Sequence, residues 1–263
     1  MKIIKVISWN IACLPKYVNI NGDIENRLKG IIKFIELNNP DIVSLQEVFS
    51  ENSRRILTDF FKKKNYNVSI SPDTRIILNG GLLIASKYKF IQENYNIYKN
   101  YIGEDCFTQK GILHIEVKIG GKYIHFFNSH LNNDTPIICR DYNEIPLIKR
   151  YQLNEFLLYL YKIMHNNKYS LCNKEDILYI IAGDLNLDYQ SDNYKSFINK
   201  LSKKMNICCN KTEIITDNIE RKQVDYIINC YNKSKTISPC KIYTYDTLHK
   251  LSDHNPLIKK FVL

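Results

Sequence analysis

Apolar residues fall in short, nearly continuous runs separated by polar segments that carry a helical repeat. The runs at 3–7, 42–45, 81–85, 112–119, 123–128, 177–182, 224–228 and 256–262 are strand-length and rich in Ile and Val. Such runs predict strands buried on both faces or in a sandwich core. Gly120-Gly121 joins two of them and predicts a tight hairpin. Between the runs, 24–37 places Ile24, Leu28, Ile31, Ile32 and Ile35 on one helical face. The segment 52–61 groups Ile56, Leu57, Phe60 and Phe61, and 145–164 carries a stripe of Ile148, Leu153, Phe156, Leu157, Leu160 and Met164. A fourth, short helix is predicted over 194–203. Many short strands, interspersed helices and no Gly/Pro-rich linker predict one layered α/β domain over 1–263, with sheets packed face to face inside helical layers.

Composition narrows the class. The chain has 263 residues, 44% hydrophobic and 24% charged, which excludes a disordered chain and is enough for a substantial core. No apolar run approaches the roughly 20 residues that span a bilayer. The N-terminal run is short and enters polar residues at once, so a first strand is expected rather than a leader, and with it a cytoplasmic location. The cysteines at 13, 106, 139, 172, 208, 209, 230 and 240 form no CxxC pair. That pattern argues against a thiolate zinc site and predicts reduced, mostly buried thiols. The net charge of +10 fits an anionic partner or surface, such as nucleic acid, phospholipid or a phosphorylated metabolite. Abundant Lys, Asn, Ile and Tyr, all encoded by AT-rich codons, account for that charge equally well.

The informative polar residues stand at strand ends, where binding sites are usually built. Ser8-Trp9-Asn10, Gln46-Glu47, Ser129-His130 and Gly183-Asp184-Leu185-Asn186 each end a run. Asp225 opens one, and Ser252-Asp253-His254-Asn255-Pro256 precedes the last. Taken singly, each reads as a turn residue, a cap or a satisfied histidine. The ordered set Asn10, Glu47, His130, Asp184, Asn186, Asp225, Asp253 and His254 reads as chemistry. Carboxylate and amide oxygens are hard ligands that suit Mg2+. Histidines beside carboxylates supply acid/base groups near neutral pH. No nucleophile pair and no GxxxxGK phosphate loop is present. These features point to attack of activated water on a phosphate ester.

The same ordered set resembles the endonuclease/exonuclease/phosphatase superfamily along essentially the whole chain. Within it, Gly80-Gly81-Leu82-Leu83-Ile84-Ala85-Ser86, Thr108-Gln109-Lys110-Gly111-Ile112 and Asn128-Ser129-His130-Leu131 are similar to stretches of bacterial-type neutral sphingomyelinases. So are Arg150 with Gln152-Leu153, and Ser238-Pro239, Tyr243-Thr244-Tyr245 and Ser252-Asp253-His254. Apurinic endonucleases carry a different segment where this chain has 128–131. The chain departs from secreted sphingomyelinases at 240–243, where their membrane-entering aromatic hairpin is longer.

The resemblance implies a four-layer α/β sandwich of two mainly antiparallel sheets flanked by helices. It implies a metal-dependent phosphodiesterase, with release of a phospholipid headgroup leading and a nuclease or a phosphoinositide phosphatase as alternatives. It further implies that Glu47 binds Mg2+, with Mn2+ as substitute, and that Asn10 lies beside it as a metal residue. His254 would be the general base, oriented by Asp253, while Asp184 positions the water. Asn186 and His130 would donate to phosphoryl oxygens. Asp225 would support His130 or a second metal, and Lys110 would contact phosphate. The expected partner is the phosphate-ester substrate, phospholipid or nucleic acid, met by a monomer with peripheral contact to an anionic surface.

Overall fold

The strand-length runs do become strands, and the architecture follows from how their two faces are covered. A computed structural model describes residues 2–15, 23–73, 78–134, 142–165, 176–204, 207–210, 223–232 and 251–263. In chain order its strands are β1 (Ile3–Cys13), β2 (Ile42–Val48), β3 (Asn67–Ile70), β4 (Leu83–Ser86), β5 (Phe90–Ile97) and β6 (Gly111–Ile119). They continue with β7 (Lys122–His130), β8 (Ile177–Asp184), β9 (Ile207–Asn210), β10 (Asp225–Asn232) and β11 (Leu257–Val262). The helices are α1 (Ile24–Asn38), α2 (Glu51–Lys63), α3 (Ile145–Met164) and α4 (Asp192–Lys204). One sheet has the order β11-β1-β2-β4-β3, the other β5-β6-β7-β8-β10-β9. β1–β2 and β7–β8 pair in parallel, and the remaining pairs are antiparallel.

Three apolar clusters separate four layers. Ile4, Val6, Ile42 and Ile84 of the first sheet meet Leu113, Ile115, Phe126, Ile180 and Ile227 of the second. On the outer face of the first sheet, Ile7, Trp9, Val43 and Leu45 pack against Leu28, Ile31 and Ile35 of α1 and Leu57 and Phe61 of α2. On the outer face of the second, Phe127, Tyr179, Ile181 and Ile228 pack under Leu153, Phe156 and Leu160 of α3 and Phe197 and Leu201 of α4. The predicted layered sandwich is therefore present.

Local chemistry sets the joints. Asp23 caps α1, its Oδ1 accepting from the backbone of Glu25 at 2.9 Å. Gly120 and Gly121 take φ of 58° and 86°, which the hairpin between β6 and β7 requires. β3, β5 and β9 were not predicted. β3 and β9 have only four residues each, and β5, FIQENYNI, is a half-exposed edge strand with little apolar signal. No helix among the described residues is long and apolar enough to cross a membrane. Cys13 and Cys230 are buried free thiols, as expected, whereas Cys106 is exposed.

Candidate active site

Strand periodicity builds the site. Side chains alternate faces, so residues two apart share one. Ile4 and Val6 point between the sheets; Ser8 and Asn10 follow on the same parity. Phe126 is followed by Asn128 and His130, Ala182 by Asp184, and Ile227 is preceded by Asp225. The apolar inter-sheet layer thus turns polar at one end without any change of fold. Cross-strand register then aligns three of these groups: His130 stands beside Asp184, and Asp184 opposite Asp225.

Glu47 reaches this end by breaking the rule. Val43 and Leu45 belong to the outer layer, and alternation alone would send residue 47 there as well. Glu47 takes φ of 58°, and Val48 occupies the outer layer in its place. A left-handed glutamate inside a strand is strained, and such strain concentrates at functional sites. The adjoining strand is irregular at the same level, with a register shift between Asn10 and Cys13 and Ala12 at φ of 47°. Gly183 serves the second sheet. A Cβ there would lie 1.9 Å from the Ser129 carbonyl, so glycine permits β7 to press against β8 just before Asp184.

Asn10 joins the two sheets. Its Nδ2 donates to Glu47 Oε1 and to Asp184 Oδ2, both at 3.0 Å, while its Oδ1 accepts from the Ala12 backbone at 3.1 Å. Two carboxylates from different sheets therefore converge on one point. Burial holds the Glu47 carboxyl above the usual carboxylate range; the Asn10 bond and Lys110 and His254 oppose this, and Asp184 reinforces it. Opposite them, His254 Nδ1 lies 2.7 Å from Asp225 Oδ2, leaving Nε2 3.7 Å from Asp184 Oδ2. Burial disfavours the imidazolium, but Asp225, Asp184 and Asp253 together overcome that and raise the His254 pKa well above the ordinary value. Burial pushes the Asp225 carboxyl up. His130 Nε2 lies 3.6 Å from Asp184 Oδ2 and 4.0 Å from Glu47 Oε1, and burial followed by Lys110 keeps this imidazole neutral.

The donor set fits a hard divalent cation. Glu47 Oε1 and Asp184 Oδ2 share one amide donor, Asp225 Oδ1 is buried without a hydrogen bond, and one ligand atom each of Asp184, Asp225 and His254 lies within 4.8 Å of the others. Concentrated carboxylate oxygens of this kind are the ligands that hard divalent cations take.

A model of the Endonuclease/Exonuclease/phosphatase family matches residues 7–254. The chain belongs to that family. Among its relatives, "Sphingomyelinase C 2" of Leptospira interrogans is 27% identical over 216 residues, covering 76% of this chain and 33% of the relative. "Sphingomyelinase C" of Listeria ivanovii is 21% identical over 212 residues, covering 75% of this chain and 60% of the relative. The chain thus spans about a third to three-fifths of the length of these relatives. Among solved structures, sphingomyelinase C from Streptomyces griseocarneus superposes with a TM-score of 0.75 at 17% identity, covering 100% of both chains. A Staphylococcus aureus beta toxin solved with bound magnesium ions gives 0.74 at 20% identity, and D. rerio TDP2 complexed with single strand DNA product gives 0.65 at 18%, each with 100% coverage of both chains. These likenesses establish the family's fold.

The structure gathers Asn10, Glu47, His130, Asp184, Asp225 and His254 and revises several expected roles. Asp253 does not orient His254. It is exposed, and its Oδ1 accepts from Ser252 Oγ at 3.3 Å; the orienting carboxylate is Asp225, which in turn does not serve His130. Asn10 faces the carboxylates with its amide nitrogen, an atom that donates and does not ligate a cation, and so holds the two carboxylates in place. Lys110 is buried, and its ammonium is taken by Asp105, the Leu131 carbonyl and His130 Nε2, at 3.0, 3.1 and 3.3 Å, which leaves nothing for phosphate. Asn186, at φ of 47°, donates to the Leu131 carbonyl at 3.2 Å on the site's flank. Arg150 is exposed, and its neighbour Lys149, 2% exposed, instead reaches Asp134 and the Asn186 carbonyl. Gln152 braces the segment after His130, accepting from the Asn132 backbone at 2.9 Å. The stretches at 238–239 and 243–245, and the rim at 240–245, lie outside the described residues.

Proposed function

We propose that residues 1–263 form one catalytic domain that hydrolyses a phosphodiester with a divalent metal, in the manner of a sphingomyelinase C, releasing a phosphorylated headgroup from a phospholipid. The observation that carries this reading is the Asp225–His254 pair at 2.7 Å, set across Asp184 from the Asn10-bridged Glu47 carboxylate. Glu47, with Asp184 beside it, would hold Mg2+, and Mn2+ would substitute. When bound, the cation would neutralise these carboxylates and stabilise negative charge developing on the phosphoryl oxygens.

The chain's own groups do the rest. With these carboxylates neutralised, the charge that raises the His254 pKa is offset; His254 Nε2, then neutral, takes a proton from water poised beside Asp184, and Asp225 fixes the tautomer and supports the imidazolium that results. The water oxygen bonds to phosphorus while the ester bond to the lipid alcohol breaks; the departing oxygen takes a proton from solvent, and the His254 imidazolium returns its proton to solvent. His130, whose Nε2 lies near both Asp184 and Glu47, and Asn186 on the site's flank would line the phosphoryl group. The names of the sphingomyelinase C relatives support the lipid substrate. A nucleic acid is the second reading, favoured by the net charge of +10 and by the fold likeness to TDP2.

A paired assay in Mg2+ and in EDTA tests both. Sphingomyelin vesicles, supercoiled DNA and inositol phosphates are the substrates. Metal-dependent release of phosphocholine supports the first reading, and metal-dependent nicking moves the assignment to the second. Failure on all three substrates overturns the proposal.

A further inference from the structure

We infer that Arg27 is a positioning residue that holds the His254 segment against the Asn10 end of β1. The inference rests on the hydrolytic reading above. Arg27 lies in the first turn of α1 and is only 6% exposed. Its described donors all go to main-chain carbonyls: Nε to Leu251 at 2.7 Å, Nη1 to Ala12 at 3.1 Å and Nη2 to Ile11 at 2.5 Å. Two of these carbonyls belong to the irregular end of β1, where pairing with β2 slips and Ala12 is left-handed. Ladder bonding is interrupted there, and buried carbonyls need other donors. A guanidinium presents several N–H groups in one rigid plane, so it can satisfy two carbonyls on one strand and a third on another segment.

The third carbonyl connects this joint to the base. From Leu251 the chain runs to Ser252, whose Oγ donates to the Asn10 carbonyl at 2.7 Å and accepts from the His254 backbone at 3.2 Å. Trp9 Nε1 then donates to the His254 carbonyl at 2.8 Å. Regular pairing of β11 with β1 begins only at Leu257 with Ser8, so these side-chain ties, and not a ladder, locate residue 254. Gly30, one turn after Arg27, gives an independent indication. A Cβ on Gly30 would lie 2.5 Å from Leu251 Cδ2, so α1 offers both a guanidinium for the Leu251 carbonyl and a gap for its side chain. Arg27 touches neither Asp184 nor His254. It sets where the base stands relative to Asn10, and Asn10 sets the two carboxylates.

The test compares wild type, Arg27→Ala, Arg27→Lys and the exposed-site control Lys29→Ala, with Mg2+ and bis(p-nitrophenyl) phosphate as a soluble probe. Loss of positional control predicts a fall of about 10²-fold in kcat for both Arg27 variants, with KM and the cooperative melt retained. Lysine keeps the charge but not the fork and does not rescue; millimolar guanidinium restores part of the Arg27→Ala rate and leaves wild type unchanged. Ring signals of labelled His254 shift in Arg27→Lys while those of His114 and His125 stay, a readout that stands even if wild type hydrolyses nothing. If Arg27→Ala does not fold, Arg27→Lys decides alone. A folded Arg27→Lys with wild-type kcat and unmoved His254 signals overturns the inference, whereas an inactive wild type overturns only the hydrolytic reading.

Discussion

The two ends of the inter-sheet layer share strands, parity and burial, yet one end is a core and the other a reaction cup. At the core end Val6, Phe126, Ile180 and Ile227 are packed beyond reach of water. At the other, Asn10, His130, Asp184 and Asp225 lie further along the same faces, beyond Ser8, Asn128 and Ala182 on the first three strands. The sandwich supplies position, and polar residues at or near one end of its strands supply chemistry. Substitutions at the two ends should therefore separate activity from stability.

The largest separation is expected for His254→Ala, which should lower kcat by about 10²–10⁴-fold while the thermal melt stays cooperative. Near-normal turnover would remove His254 from the mechanism. Phe126→Ala should do the reverse, costing about 3–5 kcal/mol in denaturant unfolding and leaving turnover per folded molecule intact. Loss of turnover without loss of stability would break the division.

Histidine titration sharpens it further. His114 stacks on Phe127 with ring centroids 4.5 Å apart, and burial, aided by His125, lowers its pKa to about 3. An imidazole depressed in the fold binds fewer protons than the unfolded chain, so its contribution is intact above its ordinary pKa and erodes as pH falls below that toward about 3. His254, with its raised pKa, contributes in the metal-free protein at lower pH and loses that contribution as pH rises through the raised value. NMR titration should show His114 neutral at a pH where His254 is charged, and added Mg2+ should lower the His254 pKa. Coincident titration of the two would contradict this. The smallest effect is expected for Asp253→Asn, less than about 0.5 kcal/mol in stability or barrier, as for exposed side chains. Asp225→Asn, by contrast, should lose most activity; equal loss in the two would restore Asp253 as the orienting group.

Much of this was legible in the sequence, and its failures have physical causes. α3 was predicted with its observed limits because its apolar stripe runs unbroken. β1 was predicted to end in Ser8-Trp9-Asn10, where polar residues interrupt the apolar run, yet the strand continues through Ile11 and Ala12 to Cys13. The site residues could be recognised by their order, but their partnerships could not. Asp253 adjoins His254 in sequence yet is exposed, whereas Asp225, 29 residues earlier, meets it across the sheets. Lys110 reads as a free cation until its partners are counted. Arg27 did leave a signal: it stands three residues after Ile24 and four before Ile31, an inward position on α1 that a solvated charge would avoid.

The central claim is that Glu47 and Asp184 hold one divalent ion beside His254. Anomalous scattering from crystals soaked in Mn2+ tests it most directly. The account predicts a peak within ligand distance of the Glu47 carboxylate and next to Asp184, lost in Glu47→Gln. A peak confined to another part of the molecule, or one unchanged in Glu47→Gln, would contradict it.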